Sequence, residues 1–402
     1  MTAILILRIL IEGYLVQASF VLKVIQRPHF LTDSHNPKSL TSSLILMNKP
    51  GNDIHCIAFF VRLTVICLGL SHLAYAAELD SAPAGSFTIA VIPDTQGYFG
   101  EATKRTPESK DPVTNPVFEK HVQWITQNLQ SQRIVFVSHV GDIVDRNVEP
   151  EWKVARQKLD QLHGVVPYSL TVGNHDMESD GDSSLYQRYF GAARFRDFPW
   201  YGGSFEPARS SSERSGNNAN SYQLFTAEGI DFIHISLECN APDDVLAWAD
   251  ALLTKYAKRK ALITTHMDLG VIDRPKTKEG YIHNPKGRMK WTKNHASHGN
   301  SAVQMWDKLY RKHANLGFIF CGDQSRCTAL RQDNHGDHDE TIHALLSDYT
   351  SSGPLRLYRF FPAENRVQVI TYDTTLNELT ESTEHVKEHD AHQFNLPYSM
   401  RP

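Results

Sequence analysis

Cysteine is scarce: the chain has five in 402 residues, too few for a scaffold built on disulfides. Neither sign of charge dominates. Lysine and arginine number 41 against 45 aspartates and glutamates, a formal net charge of −4, which argues against a strongly basic nucleic-acid binder. Long uninterrupted apolar runs are also missing. Residues 5–26 look apolar but are broken by Arg8, Glu12 and Lys23, whereas a membrane span needs about 20 apolar residues with few or no charges. No internal repeat and no linker divides residues 87–375. What the chain does have is 41% hydrophobic and 21% charged residues, enough to bury a core and to exclude wholesale disorder. It also has 20 histidines, which directs attention to metal and acid–base chemistry.

The first 80 residues read as processing signals rather than fold. A second start appears at Met47. Lys49 and Arg62 supply positive charge, Leu63 to Leu73 is an apolar run, and Ala74-Tyr75-Ala76 is followed by polar Glu78 and Asp80. Charge, apolar core, small residues and then polar chain is the order of a secretory signal peptide. Residues 47–76 are therefore expected to be a signal, residues 1–46 an upstream extension outside the working protein, and the mature chain secreted or periplasmic with no stable membrane span. The alternative is an N-terminal anchor helix. The mature chain keeps Cys239, Cys321 and Cys327; spacing alone does not decide whether the last two pair.

From Phe87 onward, short apolar runs alternate with amphipathic stretches. Strands are expected at 87–92, 133–140, 168–172, 260–265 and 316–321, and helices at 117–129, 151–162, 243–256 and 302–313. Residues 221–226 and 230–237 flank Glu228-Gly229, a hairpin signal. Three further strands are expected at 342–349, 355–361 and 366–372. Strand–helix alternation followed by a run of strands predicts an α/β core with antiparallel additions. Two polar stretches, 179–220 and 270–300, read as long loops framing a site, and the tail from 376 to 402 reads as a surface wrap.

The chemistry falls at the ends of those strands. Asp94-Thr95-Gln96 follows the first, Gly141-Asp142-Ile143-Val144-Asp145 the second, and Gly173-Asn174-His175-Asp176 the third. His266 follows 260–265 and Gly322-Asp323-Gln324-Ser325 follows 316–321. Each alone reads as a turn, a cap or a satisfied core histidine. Five strand ends carrying groups that bind metal or move protons read as a site, because open α/β sheets place sites outside the carboxyl ends of strands.

In that order the motifs resemble those of the calcineurin-like metallophosphoesterase superfamily over about 87–375. The resemblance implies two packed mixed β-sheets flanked by helices, and hydrolysis of a phosphate mono- or diester by a metal-activated water at a dinuclear site. It implies two divalent cations, Mn, Fe or Zn. Asp94 and Gln96 would bind the first, Asp142 would bridge, and Asn174, His266 and Asp323 would bind the second. His175, oriented by Asp145, would protonate the leaving group. A pair of cations bridged by a carboxylate clamps an in-line displacement at phosphorus, and an imidazolium held by a carboxylate can protonate a departing alkoxide. The expected partner is a phosphoester substrate, not nucleic acid.

Two departures bear on activity. Gln96 stands where the family more often has histidine, and Asp323 and Ser325 replace both histidines of its last motif. The first site is then all oxygen, which favours Mn, Mg or Ca over Zn, and is expected to be weak. Loss of those histidines also leaves open a binding protein on the same fold. Arg326 is a candidate phosphate clamp, Tyr98, Trp200 and Tyr201 a candidate aromatic wall, and Lys276, Arg288 and Lys290 a candidate basic rim.

Overall fold

The computed structural model describes residues 79–207, 213–326 and 328–400. The extension 1–46, the segment read as a signal (47–76) and Cys327 lie outside the described residues. Two seven-stranded mixed sheets form the core. The first runs β15 (Glu378–Leu379), β14 (Arg366–Asp373), β13 (Pro354–Phe361), β1 (Phe87–Ile92), β2 (Ile134–His139) and β3 (Tyr168–Leu170), with β16 (Phe394–Pro397) paired along β14. The second runs β11 (Ala329–His335), β12 (Thr341–Ser347), β10 (Leu316–Cys321), β7 (Lys260–Thr265), β6 (Ile230–Leu237), β5 (Ser221–Ala227) and β4 (Tyr201–Ser204).

Period-2 alternation decides which layer each side chain enters. Phe87, Ile89 and Val91 of β1 meet Phe136, Phe232, Phe318, Phe320, Tyr358 and Phe360 between the sheets. Ala90 and Ile92 point the other way, onto helices α1 (Pro116–Gln127) and α2 (Glu149–Leu159). On the second sheet, Ile233, Ile235 and Ile263 pack on α4 (Asp243–Lys255) and α6 (Ala302–Lys308). Both faces of each central strand are covered, which is why β1, β10 and β12 read as near-continuous apolar runs. Helix α1 starts where it does because Asn115 accepts the Phe118 N–H at 3.1 Å and Pro116 takes the first helical position.

Parallel pairing sets the strand ends side by side. Ile92 pairs with His139 and His139 with Leu170 in the first sheet; Leu237 pairs with Thr265 and Cys321 with Leu346 in the second. The expected 227–230 hairpin is present, with Glu228 and Gly229 both at positive φ (48° and 76°), the turn that matches strand twist.

Several elements left no clear mark in the sequence. Strand β11 reads polar because it is an edge strand with every second residue in contact with solvent. The stretch 179–220 contains a helix, α3 (Ser184–Phe190), and β4. The stretch 270–300 contains the hairpin of β8 (Leu269–Val271) with β9 (Lys286–Arg288), and between them the short helix α5 (Gly280–His283). The tail does more than wrap the surface: β15 and β16 extend the first sheet. Tyr98 is fully buried, its hydroxyl donating to the Ile143 carbonyl at 2.9 Å, so it belongs to the core. Trp200 and Tyr201 pack around Phe195. Arg288 is buried 3.5 Å from Asp268 and stacks over Trp306, which removes it from any basic rim, whereas Lys276 and Lys290 are exposed.

Two core histidines outside the candidate site are expected to make stability depend on pH. His121 bonds Thr374, and His234 bonds Gln223 and Thr264. Burial lowers each from 6.5 to about 3. Both stay neutral in the folded chain, while the unfolded chain takes up their protons below pH 6.5, so stability is full above that value and falls as pH drops. The expected slope between about pH 6 and pH 4 is roughly 1.4 kcal/mol per pH unit for each histidine. Denaturant unfolding at pH 7, 6 and 5 should show this loss, and a His121→Gln/His234→Gln variant should show a flatter dependence. An equal slope in both would contradict the assignment.

Candidate metal centre

Asp94 and Asp142, beyond the ends of β1 and β2, face His266 and Asp323, beyond the ends of β7 and β10. One ligand atom each from Asp94, Asp142 and His266 lie within 4.8 Å of one another, all three residues buried. His266 Nδ1 donates to the Val140 carbonyl at 3.0 Å. That fixes the ring and directs Nε2 at Asp142 Oδ1 (3.1 Å) and Asp323 Oδ1 (3.5 Å). A carbonyl-held imidazole of this kind is how metal-binding histidines are oriented.

The loops close tightly because their glycines carry no Cβ. A Cβ on Gly173 would overlap the Asp142 main chain and carboxylate, and one on Gly322 would overlap Asp94 Oδ1. Asp142 and Asp323 themselves sit at φ 51° and 76°, the left-handed region that L-residues adopt at some cost and that clusters at functional sites. Asp176 ties the loops together. Its carboxylate accepts the Gly173, Ile143 and Val144 N–H groups at 2.8–3.1 Å.

Charge in this cluster is unbalanced toward the negative. Burial, followed by the neighbouring Asp348 carboxylate, pushes Asp94 well above the usual carboxylate range. Burial, with Asp323 nearby, pushes Asp348 up to about 6. Burial and Asp142 push Asp176 up to about 7. Burial opposes a charge on His266, yet Asp142, Asp323 and Asp94 outweigh it and raise its pKa well above 6.5. Burial would also raise Asp142, but His266, His175 and Lys293 hold it below the usual range. One buried atom, Asp94 Oδ1, makes no hydrogen bond, and His266 Nε2 meets only the carboxylates of Asp142 and Asp323. An unpartnered carboxylate oxygen and an imidazole nitrogen facing carboxylates inside an acid-rich pocket fit a divalent cation, which would take over the charge that protons otherwise supply.

The remaining expected residues fall around this set. Gln96 reaches Asp142 Oδ2 with its side-chain amide at 2.5 Å. Asn174 and Asp323 converge on Lys293, whose ammonium lies 2.9 Å from Asn174 Oδ1 and pairs with Asp323 Oδ1. Gln324 holds the other oxygen of Asp323 at 2.8 Å. His175 anchors Asp142 Oδ1 through its N–H at 2.8 Å, and its ring Nε2 lies 4.0 Å from Asp142 Oδ2, partly open to solvent. Asp145 meets His175 Nδ1 mainly through its carbonyl, at 2.8 Å; its carboxylate is 3.5 Å away and pairs with Lys104 at 2.8 Å. Ser325 lines a separate cavity of about 660 Å³ with Thr328, Tyr349 and tail residues. Arg326 is exposed beside the Tyr281 ring. His139 is a core histidine on Thr95, lowered to about 3 by burial, and His343 is held mid-strand by Asp333 and the Pro397 carbonyl.

The family model of the calcineurin-like phosphoesterases matches residues 87–326. The chain belongs to that family. The match spans every strand end that carries the centre. Protein YvnB of Bacillus subtilis (strain 168) is 29% identical over 298 residues, which is 71% of this chain and 20% of YvnB; the chain thus spans about a fifth of that relative's length. Among solved structures, a 5'-nucleotidase precursor from Thermus thermophilus is 12% identical, with a TM-score of 0.41, covering 73% of this chain and 53% of that one. The calcineurin-like phosphoesterase YfkN from Bacillus subtilis is 11% identical, with a TM-score of 0.36, covering 71% and 85%.

Residues that the sequence reading passed over include Lys104, Lys293 and Asp348; Gln324 was named within the last motif but given no role. Asp348 had a usable signal: it follows β12 as Asp94 follows β1. Lys293 had none, because it sits in a polar loop rich in lysine.

Proposed function

We propose that this calcineurin-like phosphoesterase is an exported, metal-dependent enzyme that cleaves a phosphate mono- or diester at a two-cation centre. The observation that carries this reading is the convergence of Asp94, Asp142 and His266, with the Asp94 Oδ1 atom unpartnered, beside a partly exposed His175. Asp94, Asp142 and His266 would hold a divalent cation. When bound, such an ion supplies positive charge to phosphoryl oxygens and acidifies water.

The chain's own groups do the rest. Asp142, held by Gln96 and the His175 N–H, keeps its position without outside help. Asp176 fixes the two loops that present Asp142 and His175, so that neither has to reorganise during the reaction. His175 Nδ1 is held by the Asp145 carbonyl, which leaves Nε2 facing the centre. From there it can pass a proton to the departing ester oxygen. The Lys293 ammonium lies beside Asn174 and Asp323 and adds a fixed positive charge.

One experiment tests the reading. The chain is expressed from Met47 in a secreting host, and the exported protein is sequenced from its N-terminus. It is then stripped with a chelator, reloaded with Mn, Zn, Fe, Mg or Ca, and assayed on phosphomonoesters and diesters. The expected protein begins near Ala77, loses hydrolysis on stripping and regains it on reloading. Hydrolysis unaffected by chelation would sink the metal assignment, and no hydrolysis with any metal would favour the binding-protein reading.

A further inference from the structure

Family resemblance allots Asp142, Asn174, His266 and Asp323 to one divalent cation. The side chains divide differently. Asp142 and His266 join Asp94 in a three-ligand set. Asn174 Oδ1 and Asp323 Oδ1 are both engaged by the ammonium of Lys293, Asp323 Oδ1 lying in addition 3.5 Å from His266 Nε2.

Lys293 is not a loose surface lysine. Its main-chain N–H donates to Asn240 Oδ1 at 2.8 Å, and Asn240 in turn donates to the Asn300 carbonyl at 3.0 Å. On one side of it Asn294 donates to the Glu178 carbonyl at 3.1 Å, and on the other the Trp291 indole donates to the Val271 carbonyl at 3.0 Å. The ammonium lies 5.8 Å from the Trp291 ring centroid, and the side chain is 24% exposed. The loop is pinned on both sides of the residue, so little freedom remains to be lost when the ammonium is placed. A second divalent ion would have to take the same two oxygens and leave a lysine charge beside itself, and like charges at such range repel strongly away from bulk water.

Resting on the metal-dependent reading above, we propose that Lys293 is a built-in cation that fills the second position, so the chain loads one divalent ion tightly instead of two. The two-cation centre then consists of one exchangeable metal and one ammonium that is part of the polypeptide. The Asp323 replacement in the last motif fits this arrangement: a carboxylate offers an ammonium an opposite charge, which a neutral imidazole does not.

Binding stoichiometry decides the matter without any assay of hydrolysis. The full chain, stripped with a chelator, is titrated with Mn²⁺ by equilibrium dialysis and elemental analysis. Binding that survives in Asp142→Asn is subtracted as belonging to other histidines and acids. Wild type should hold one Mn²⁺ per chain in the tight class. Lys293→Met, of similar shape without the charge, should hold two, and Lys293→Arg should hold one. Two tight ions in the wild type would overturn the proposal while sparing the metal-dependent reading, as would a count of one in Lys293→Met with wild-type melting. No tight ion in the wild type would overturn both. If Lys293→Met does not fold, the wild-type and Lys293→Arg counts still decide: one in each supports the proposal, two in either refutes it.

Discussion

Asp142→Asn is expected to abolish tight metal binding and, with it, hydrolysis. Asp142 is the residue through which the centre is joined: it lies 3.1 Å from His266 Nε2 and accepts from Gln96 and from the His175 N–H. Asparagine is the substitution of choice because the backbone sits at φ 51°, where asparagine is tolerated and alanine is strained. The variant should therefore fold, and the change isolates the carboxylate charge. Groups that merely orient a metal ligand contribute about 10–100-fold to metal affinity; a ligand itself should cost at least the upper end of that range. Dialysis against a fixed Mn²⁺ concentration, with elemental analysis and a thermal melt on the same sample, gives the answer. Wild-type metal content in a normally melting variant would remove Asp142 from the centre.

His175→Ala should separate catalysis from metal holding. Its main-chain N–H, not its ring, anchors Asp142, so alanine leaves that bond in place and the metal should stay. The ring is what disappears, and with it the proton for the leaving oxygen. General acid catalysis contributes about 10²–10⁴-fold, so kcat should drop by that factor for esters with poor leaving groups. The drop should shrink for an activated aryl phosphate, whose leaving group departs as an anion. Asp145→Asn should be milder still. The contact at 2.8 Å on His175 Nδ1 comes from the Asp145 carbonyl, which asparagine keeps, while the carboxylate at 3.5 Å is shared with Lys104. Equal losses on all esters, accompanied by loss of metal, would make His175 a ligand or a structural residue rather than a proton donor.

Much of the molecule was readable before any coordinates. The apolar runs at 87–92, 260–265 and 316–321 are strands with those boundaries, because a strand covered on both faces is largely apolar. The motifs Gly141-Asp142 and Gly173-Asn174-His175-Asp176 stand at strand ends for a local reason: their turns need a residue without Cβ or one that accepts positive φ. Elements that touch solvent were harder to see. Edge strand β11 alternates with polar residues, and the short strands β4, β8 and β9 lie inside stretches that read as loops, since a short strand carries too few residues to show a period.

The sequence by itself determined the strand–helix order of an α/β core and which residue types would stand at the strand ends, because burial and turn chemistry are written locally, within a few residues; the two-sheet architecture came from the resemblance those motifs carry. Tertiary structure decided which of those groups touch. It put His266 Nε2 between Asp142 and Asp323, left Asp94 Oδ1 without a partner, and drew Asp348 near enough to raise Asp94. It moved Tyr98 from the expected aromatic wall, and Arg288 from the expected basic rim, into the core. It also brought Lys293, from a loop with no distinguishing pattern, to Asn174, 119 residues earlier, and to Asp323, 30 residues later. No local rule encodes such pairings: they arise only when parallel strands from two sheets end at one place, so that charges distant in sequence must find partners away from water.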